Sequence, residues 1–169
     1  KKEIFAMKAV GKIENLEKKM KGVDIHASPF LFYTRWATHG GVTEQNCHPH
    51  SDCKSNIWVA HNGIIENYQQ LKVKLIEKGH AFVSETDTEV IPHLIEEAFE
   101  GNLVDAVQKV IPLLRGAFAL VIISKEDSEH LIAVRNSAPL LIGIGESGYI
   151  AASDPSAVVG MTKEVVYLD

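Results

Sequence analysis

Three short polar segments, residues 34–40, 61–67 and 84–90, carry side chains that could bind a small amide and hydrolyse it. Arg35, in the first segment, has a planar guanidinium that can bind a carboxylate through two parallel hydrogen bonds. Asp87, in the third segment, can receive an ammonium group. If these two side chains lie on opposite sides of one pocket, they would bind both charged groups of an α-amino acid.

Asn62 and Gly63, in the second segment, allow two interpretations. An Asn-Gly pair is a common hairpin turn. Alternatively, the Asn amide and the following backbone N–H can point together at a developing oxyanion, where removal of one donor typically costs about 3–4 kcal/mol of transition-state stabilisation. Because residues 64–67 lead into a predicted helix and not into a return strand, the hairpin interpretation is the weaker one. The three segments together predict a site that hydrolyses the side-chain amide of a free amino acid.

Further residues of the first segment fit a binding loop. Trp36, in polar surroundings, could close over a ligand and exclude water, while Thr38 and His39 can supply directional polar contacts. Residues 35–56 lack apolar periodicity, and a loop of this length usually serves a function such as a lid or a binding loop. His48, in the same loop, is expected to orient the pocket.

A zinc site is an alternative interpretation of this loop. Two thiols and two imidazoles occur close together, at Cys47, His48, His50 and Cys53. Adjacent residues point apart in an extended chain, however, and the spacing lacks the paired C-x-x-C arrangement of typical zinc sites. We expect Cys53 to be an ordinary thiol. Three other histidines have no partner in the sequence and are expected to have structural roles; they are His80, His93 and His130.

The composition indicates an ordinary globular domain. Its 169 residues fit one domain, with 46% hydrophobic and 23% charged residues. The net charge of −5 disfavours a nucleic-acid interface, which needs a basic face. Two cysteines make no disulfide framework, no signal peptide is visible, and no run approaches the roughly 18 apolar residues of a membrane span. We therefore expect a soluble cytoplasmic protein that binds neither nucleic acid nor membranes.

The predicted secondary-structure elements are partly segregated along the chain. Apolar residues recur at helical spacing over residues 13–20, 68–75, 90–98 and 103–114. Strand patterns cover residues 6–10, 29–34, 57–61, 81–83, 117–124, 130–136, 140–144, 149–153 and 165–168. Thr86-x-x-Glu89 has the capping-box pattern that opens a helix, and residues 145–148 form a hairpin connection. This order favours an α+β fold over a doubly wound parallel sheet.

The three polar segments, together with residues 46–50, closely resemble the glutaminase domain of the glutamine–fructose-6-phosphate aminotransferase family, a class II glutamine amidotransferase domain. Looser similarity runs from residue 10 to residue 168. The resemblance implies an N-terminal-nucleophile hydrolase-type fold, a four-layer αββα sandwich with mainly antiparallel sheets. Residues 1–169 would be one partial glutamine amidotransferase type-2 domain, without the family's sugar-isomerase domain.

The same resemblance implies a role for each candidate site residue. Arg35 would bind the glutamine carboxylate and Asp87 its ammonium, whereas Asn62 and the Gly63 N–H would form the oxyanion hole. The residues that would line the glutamine pocket or close it are Thr38 and His39, with Trp36 as a mobile lid. The family's nucleophile is an N-terminal cysteine whose own α-amine acts as the base: the thiolate attacks the amide, ammonia leaves, and water cleaves the thioester. Ammonia then passes to the isomerase domain, which makes glucosamine 6-phosphate, and no cofactor or metal is implied.

The chain also departs from the family. It begins Lys1-Lys2, without the family's opening Cys-Gly segment, and neither Cys47 nor Cys53 matches the nucleophile position. We therefore expect the polypeptide as printed to be incomplete at its N-terminus, poorly stable and without glutaminase activity. The expected partners are L-glutamine and the C-terminal sugar-isomerase domain of the parent chain, in a homo-oligomeric full-length enzyme. A non-catalytic amino-acid-binding domain, using Arg35 and Asp87 without chemistry, is a third hypothesis beside the zinc-binding module.

Overall fold

The computed structural model describes residues 3–24, 28–35, 40–127, 130–146 and 148–168. The helices in these ranges are α1 (Ile13–Met20), α2 (Tyr68–Glu77), α3 (Val90–Ala98) and α4 (Leu103–Val110). The strands are β1 (His50–Ser51), β2 (Ile57–Gly63), β3 (Phe118–Ser124), β4 (Leu131–Asn136), β5 (Leu141–Gly145), β6 (Gly148–Ala152) and β7 (Val165–Tyr167). None of these helices combines the length and the apolar character needed to cross a bilayer.

The first sheet is antiparallel and has the strand order β1-β2-β3-β4. β2 pairs with β3 along its whole length, from Ile57 opposite Ser124 to Gly63 opposite Phe118. β3 is central in the sheet, and all its residues except Val121 are buried. A strand that is covered on both faces has no reason to alternate apolar and polar residues. The continuous apolar run over residues 117–124 therefore predicted this buried strand correctly.

Helices α2, α3 and α4 cover one face of the first sheet and build the main core with it. The strand residues in this core lie at alternate positions, as strand geometry requires; they are Ile57, Val59, Phe118, Leu120 and Ile122. The helices contribute fully buried side chains such as Ile91, Ile95 and Ala106. Burial of one such aliphatic side chain contributes about 1.5–3 kcal/mol, so this face holds α3, and the loop before it, in place.

The second sheet has the strand order β6-β5-β7 and is also antiparallel. β5 and β6 form the expected hairpin, with Gly145 opposite Gly148. A small buried cluster of Ala119, Ala138 and Leu140 packs on the other face of β3, where the chain passes from β4 to β5. Segregated antiparallel sheets and a separate helical layer define an α+β fold, as the sequence predicted.

Three predicted strands are not found in the described structure. Residues 6–10, 29–34 and 81–83 have no regular secondary structure there. In the segment 29–34, Phe30 and Phe32 are 50% and 77% exposed. Aromatic and β-branched residues favour a strand only when a neighbouring edge supplies hydrogen bonds and packing. No described strand pairs with these segments.

The capping box predicted before α3 does not form. Glu89 stands at the N-cap position, with no capping hydrogen bond from its side chain. Its carboxylate accepts hydrogen bonds from the backbone N–H groups of Val83 and Ser84 instead, at 2.8 and 2.6 Å. The helix itself is present, and Pro92 lies in its first turn, where the missing N–H of proline costs little. The helix predicted over residues 103–114 ends as α4 at Val110 and continues as a 3₁₀ turn that contains Pro112.

Candidate active site

Arg35 and Asp87 line the same small pocket. The other residues around it are Tyr33, His48, His61, Gly63, Thr86 and Thr88. The pocket has a volume of about 20 Å³, which is room for about one water molecule. A larger groove of about 1030 Å³ adjoins it and shares the walls formed by Tyr33, Arg35 and His48. An amino acid would therefore need side chains to move at the boundary between pocket and groove.

Asp87 is held rigidly just before α3. The residue is 4% exposed, and its Oδ2 accepts a hydrogen bond from the Ile65 backbone N–H at 2.8 Å. Ile65 is itself fully buried in the main core. A carboxylate fixed in this way needs no reordering when it receives a cation, so less free energy is lost on binding.

A polar clamp ties the loop after Arg35 to the loop that carries Asp87. Arg35 Nη1 donates a hydrogen bond to the Gly41 carbonyl at 3.2 Å. The Asn46 amide donates to the same carbonyl at 3.0 Å and to Glu85 Oε2 at 3.1 Å, and it accepts from the Glu85 N–H at 2.9 Å. Asn46 is 2% exposed. The clamp therefore sets the distance between the two segments that bear the opposite charges.

Gly63 occupies a position that only glycine fits. Its φ is +121°, and a Cβ atom would lie 2.0 Å from the Ala117 carbonyl oxygen. The last pair of β2 and β3 brings these backbones together. Glycine alone combines this backbone angle with so close an approach. Because Gly63 has no side chain, its backbone is accessible from the pocket that it lines.

Asn62 lies on the other face of β2 from the neighbouring His61, because side chains alternate along a strand. That face also carries Trp58, which lines the groove. Asn62 is half-buried and is not among the residues that line the small pocket. Of the two predicted oxyanion residues, Gly63 lines the small pocket, whereas Asn62 is not among the described residues that line the pocket or the groove.

Tyr33, His48 and His61 form one hydrogen-bonded wall of the pocket. The Tyr33 hydroxyl donates to the His61 carbonyl at 2.9 Å, and the His61 N–H donates to His48 Nδ1 at 3.3 Å. The rings of Tyr33 and His48 stack with centroids 4.1 Å apart. His61 Nδ1 lies 2.9 Å from Thr88 Oγ1, which connects this wall to the segment of Asp87.

Two imidazoles, that of His48 in the pocket wall and that of His50 beside Thr86, are uncharged at neutral pH. Burial lowers the pKa of His48 to about 2, and the neighbouring His50, His61, Arg35 and Lys8 act in the same direction. Burial also lowers the pKa of His50 to about 3. Arg35 supplies a guanidinium to the same pocket wall. A carboxylate entering the pocket would therefore meet the guanidinium of Arg35 and the uncharged ring of His48.

The carboxylate of Glu89 fixes the backbone of the segment that precedes Asp87. Besides the N–H groups of Val83 and Ser84, its carboxylate accepts the Ser84 hydroxyl at 2.5 Å. Burial would raise the pKa of Glu89, but the nearby His93 side chain and the donors on Ser84 and Val83 lower it to about 2. The Ser84 hydroxyl also lies 3.0 Å from the Thr86 hydroxyl, which is 3.2 Å from His50 Nε2. A buried ionised carboxylate therefore shapes the loop that presents Asp87.

Four of the predicted site residues, Arg35, His48, Gly63 and Asp87, line one pocket, whereas Asn62 is not among its described lining residues. The predictions for Trp36, Thr38 and His39 lie outside the described residues. Sequence reasoning did not identify four further residues of the pocket, namely Tyr33, His61, Thr86 and Thr88. One signal was available: a histidine in an otherwise apolar strand is a polar group that needs a buried partner.

The alternative zinc site is not supported by the geometry. Cys47 Sγ lies 3.3 Å from the Thr43 carbonyl oxygen, and His48 and His50 contribute to the pocket and its border. Cys53 lies instead against His80 and His93, with its sulfur 3.5 Å from Nδ1 of each ring. The two cysteines thus belong to different parts of the fold. His80 and His93, which were expected to have only structural roles, meet at this second place.

The chain matches the family of glutamine amidotransferase domains over residues 37–160. This match covers most of the sequence, and the chain belongs to that family. It is 46% identical over 169 residues to the glutamine–fructose-6-phosphate aminotransferase (isomerizing) of Pyrococcus horikoshii, across 99% of this chain and 28% of that protein. It is 50% identical over 139 residues to the enzyme of the same name from Thermotoga maritima, across 82% of this chain and 23% of that protein. The resemblance expected from the sequence is confirmed, and the chain spans about a quarter of the length of these relatives.

Two solved structures share the fold. One is glutamine phosphoribosylpyrophosphate amidotransferase from B. subtilis complexed with ADP and GMP, with 30% identity, a TM-score of 0.65 and coverage of 80% of this chain and 29% of that chain. The other is described as the allosteric regulatory enzyme of purine biosynthesis, with 32% identity, a TM-score of 0.66 and coverage of 80% and 30%. This likeness confirms the predicted α+β fold of the N-terminal-nucleophile type.

Proposed function

We propose that this chain is the glutamine-hydrolysing part of a glutamine–fructose-6-phosphate aminotransferase. It would release ammonia from L-glutamine for the conversion of fructose 6-phosphate to glucosamine 6-phosphate. The observation that carries the proposal is that Arg35 and Asp87 line one pocket with Gly63. A cation and an anion on the walls of one pocket fit the two α-substituents of a free amino acid.

Each residue of the site then has a defined role. Arg35 binds the α-carboxylate and Asp87 binds the α-ammonium. The Asn62 amide and the Gly63 N–H stabilise the oxyanion that forms when the side-chain amide is attacked. His48, held neutral by burial, keeps Tyr33 and the His61 backbone in place without adding charge. The residues proposed to contact the glutamine or close over it are Thr38, His39 and Trp36.

The nucleophile is a separate question, because neither cysteine of the chain lies at the pocket. Cys47 Sγ is bonded to the Thr43 carbonyl, and Cys53 lies against His80. Neither has a free α-amine beside it to act as a base. We therefore expect the 169-residue polypeptide as printed to bind glutamine without releasing ammonia. Ammonia above background on incubation with L-glutamine would contradict this expectation.

The fate of the ammonia rests on the relatives. Proteins named glutamine–fructose-6-phosphate aminotransferase (isomerizing) share 42–50% identity with this chain but are about four times as long. We propose that the parent of this chain likewise carries a sugar-isomerase domain, which receives the ammonia and uses fructose 6-phosphate, and that it assembles as a homo-oligomer.

Calorimetric titration with three ligands tests the charge assignments. L-Glutamine carries both α-substituents, glutaramic acid lacks the ammonium, and 4-aminobutanamide lacks the carboxylate. The absence of either charged group from the ligand should weaken binding by about 10–100-fold, since hydrogen bonds to charged groups contribute about 1.5–3 kcal/mol. Asp87→Asn should reduce the ratio of the affinity for L-glutamine to that for glutaramic acid. Arg35→Lys should reduce the ratio of the affinity for L-glutamine to that for 4-aminobutanamide.

Two exposed residues outside the pocket provide matched controls. Asp105→Asn and Arg115→Lys make the same chemical changes at the surface and should leave all three affinities unchanged. If L-glutamine binds no more tightly than either analogue, or if the control variants alter the preference as much as the pocket variants, the proposed site is wrong.

A further inference from the structure

Four metal-ligating side chains meet at a point outside the small pocket, whose lining residues include none of them. Cys53 comes from the turn between β1 and β2, His80 follows α2, and His93 and Glu96 lie one turn apart on α3. Residues at i and i+3 share one face of a helix. Each of the four offers one ligand atom, and these atoms all lie within 4.8 Å of one another.

Five of the six separations between the ligand atoms are close to the edges of a small tetrahedron, and the sixth, between Cys53 and Glu96, is within 4.8 Å. Cys53 Sγ lies 3.5 Å from Nδ1 of both His80 and His93, and the two Nδ1 atoms are 3.2 Å apart. Glu96 Oε2 lies 3.3 Å from His80 Nδ1 and 3.7 Å from His93 Nδ1. Zinc holds sulfur at about 2.3 Å and nitrogen or oxygen at about 2.0–2.2 Å, so its tetrahedral ligands lie about 3.3–3.8 Å apart.

Outer contacts aim the two imidazoles at the centre of this cluster. His80 Nε2 lies 3.1 Å from Glu97 Oε1. Nε2 of His93 has no hydrogen-bond partner among the described residues and faces Glu89 Oε1 at 3.7 Å. A carboxylate behind the outer nitrogen of each ring favours a proton there and leaves the inner Nδ1 with its lone pair. Metal-bound histidines are oriented by this arrangement.

Glu96 is also oriented so that one oxygen remains for a metal. Its Oε1 lies 3.4 Å from Lys54 Nζ, at the surface. Its Oε2 accepts the Cys53 backbone N–H at 3.2 Å and points at the histidine pair. Because that N–H belongs to Cys53, which is itself a ligand residue, this hydrogen bond fixes the positions of Cys53 and Glu96 relative to each other.

We propose that Cys53, His80, His93 and Glu96 bind one zinc ion in a tetrahedral site. A thiolate, two imidazoles and one carboxylate suit zinc better than magnesium or calcium, which prefer oxygen ligands alone. Because all four positions are filled by protein side chains, the site is structural in character and does not supply a metal-bound water. The proposal does not depend on the function proposed above.

Such an ion would link three parts of the chain. It would join the turn before β2, the segment after α2, and α3. His93 also faces Glu89, whose carboxylate holds the Val83 and Ser84 N–H groups. The zinc site would therefore brace the helix that follows Asp87, and metal binding should raise the thermal unfolding midpoint of the protein.

Cobalt titration of chelator-treated protein tests the site. Co²⁺ takes the same tetrahedral ligands and reports on them by its visible absorption, and a cysteine ligand adds a sulfur-to-cobalt charge-transfer band in the near ultraviolet. We expect saturation at one equivalent, both spectral features, and loss of the spectrum when Zn²⁺ is added. Absence of the tetrahedral cobalt spectrum from the unmodified protein would overturn the proposal.

Single substitutions test whether these four residues are the ligands that give rise to the cobalt spectrum. Cys53→Ser should abolish the charge-transfer band and weaken binding by at least about 100-fold, whereas Cys47→Ser, which keeps a donor for the Thr43 carbonyl, should change neither. Glu97→Gln keeps all four ligands, alters the group behind His80 and the exposed ion pair with Lys78, and should weaken binding by about 10–100-fold without loss of the band. Circular dichroism confirms the folding of each variant. A charge-transfer band that persists in Cys53→Ser, or disappears in Cys47→Ser, places the metal elsewhere and overturns the proposal.

Discussion

The carboxylate of Asp87 accepts a hydrogen bond from the Ile65 backbone N–H at 2.8 Å. Ile65 follows Gly63 by two residues, so the proposed ammonium receptor is tied directly to the chain that leaves the proposed oxyanion turn. The contact is buried, because Asp87 is 4% exposed and Ile65 is fully buried. Asp87 therefore has a positioning role that substitution can separate from its proposed binding role.

Asp87→Asn and Asp87→Ala should have different free energies of unfolding but should weaken glutamine binding to a similar extent. The Asn side chain keeps an oxygen that can accept from Ile65, whereas Ala leaves a buried N–H without a partner, at a cost of about 1–3 kcal/mol. Both changes remove the negative charge and should weaken glutamine binding by about 10–100-fold. Urea unfolding and calorimetric titration measure the two effects. Equal stability of the two variants would contradict the positioning role.

Gly63→Ala should be severely destabilising. The new Cβ would lie 2.0 Å from the Ala117 carbonyl oxygen, at a φ of +121°. Either β2 and β3 separate at their last pair or the backbone angle changes, and we expect a loss of more than about 2 kcal/mol in the free energy of unfolding. Gly160→Ala is the matched control, since its Cβ would meet no atom within 4 Å. Similar urea midpoints for the two variants would show that the close approach does not exist in solution.

Asn46→Ala should loosen the clamp between the two charged segments. The substitution leaves the Glu85 N–H without its acceptor and removes two donated hydrogen bonds. Because Asn46 is buried, the expected loss of stability is about 1–3 kcal/mol, together with weaker glutamine binding. Asn15→Ala removes an exposed hydrogen bond to the Val10 carbonyl and should cost less than about 0.5 kcal/mol. A loss of stability with unchanged glutamine affinity would show that the clamp does not position the site.

Glu89 should make the protein acid-sensitive over a defined pH range. Its pKa falls from 4.5 to about 2 on folding, so the native state favours the ionised form. The resulting stability is fully present above pH 4.5 and is lost as the pH falls towards 2. A shift of this size corresponds to roughly 3 kcal/mol.

Urea unfolding measures the contribution of Glu89 to the free energy of unfolding. The measurements run from about pH 6 to about pH 2, the range over which carboxylates titrate. Glu89→Gln should lower the stability at the upper end of the range and flatten its pH dependence. Glu77→Gln, an exposed change on α2, should keep the pH dependence of the unmodified protein. If both variants show the same pH dependence, the stability comes from other groups.

Local sequence patterns predicted the central elements of the fold well and the strands outside the sheets poorly. The apolar run over residues 117–124 marked β3 because burial on both faces demands apolar side chains at every position. The aromatic run over 29–34 also has high strand propensity, yet Phe32 is exposed and the segment is irregular. Propensity is local, whereas a strand needs a partner, and the partner is supplied only by the assembled chain.

The sequence by itself determined which residues could recognise an amino acid, because charge and hydrogen-bonding capacity belong to residue type. Arg35, Gly63 and Asp87 were identified in this way, and they line one pocket. Only the tertiary structure decided which side chains meet across long separations. It joined Tyr33 and His61 to the pocket, and it brought Cys53 to His80 and His93 and not to Cys47. Such meetings depend on how helices and strands pack, and spacing along the chain carries little of that information.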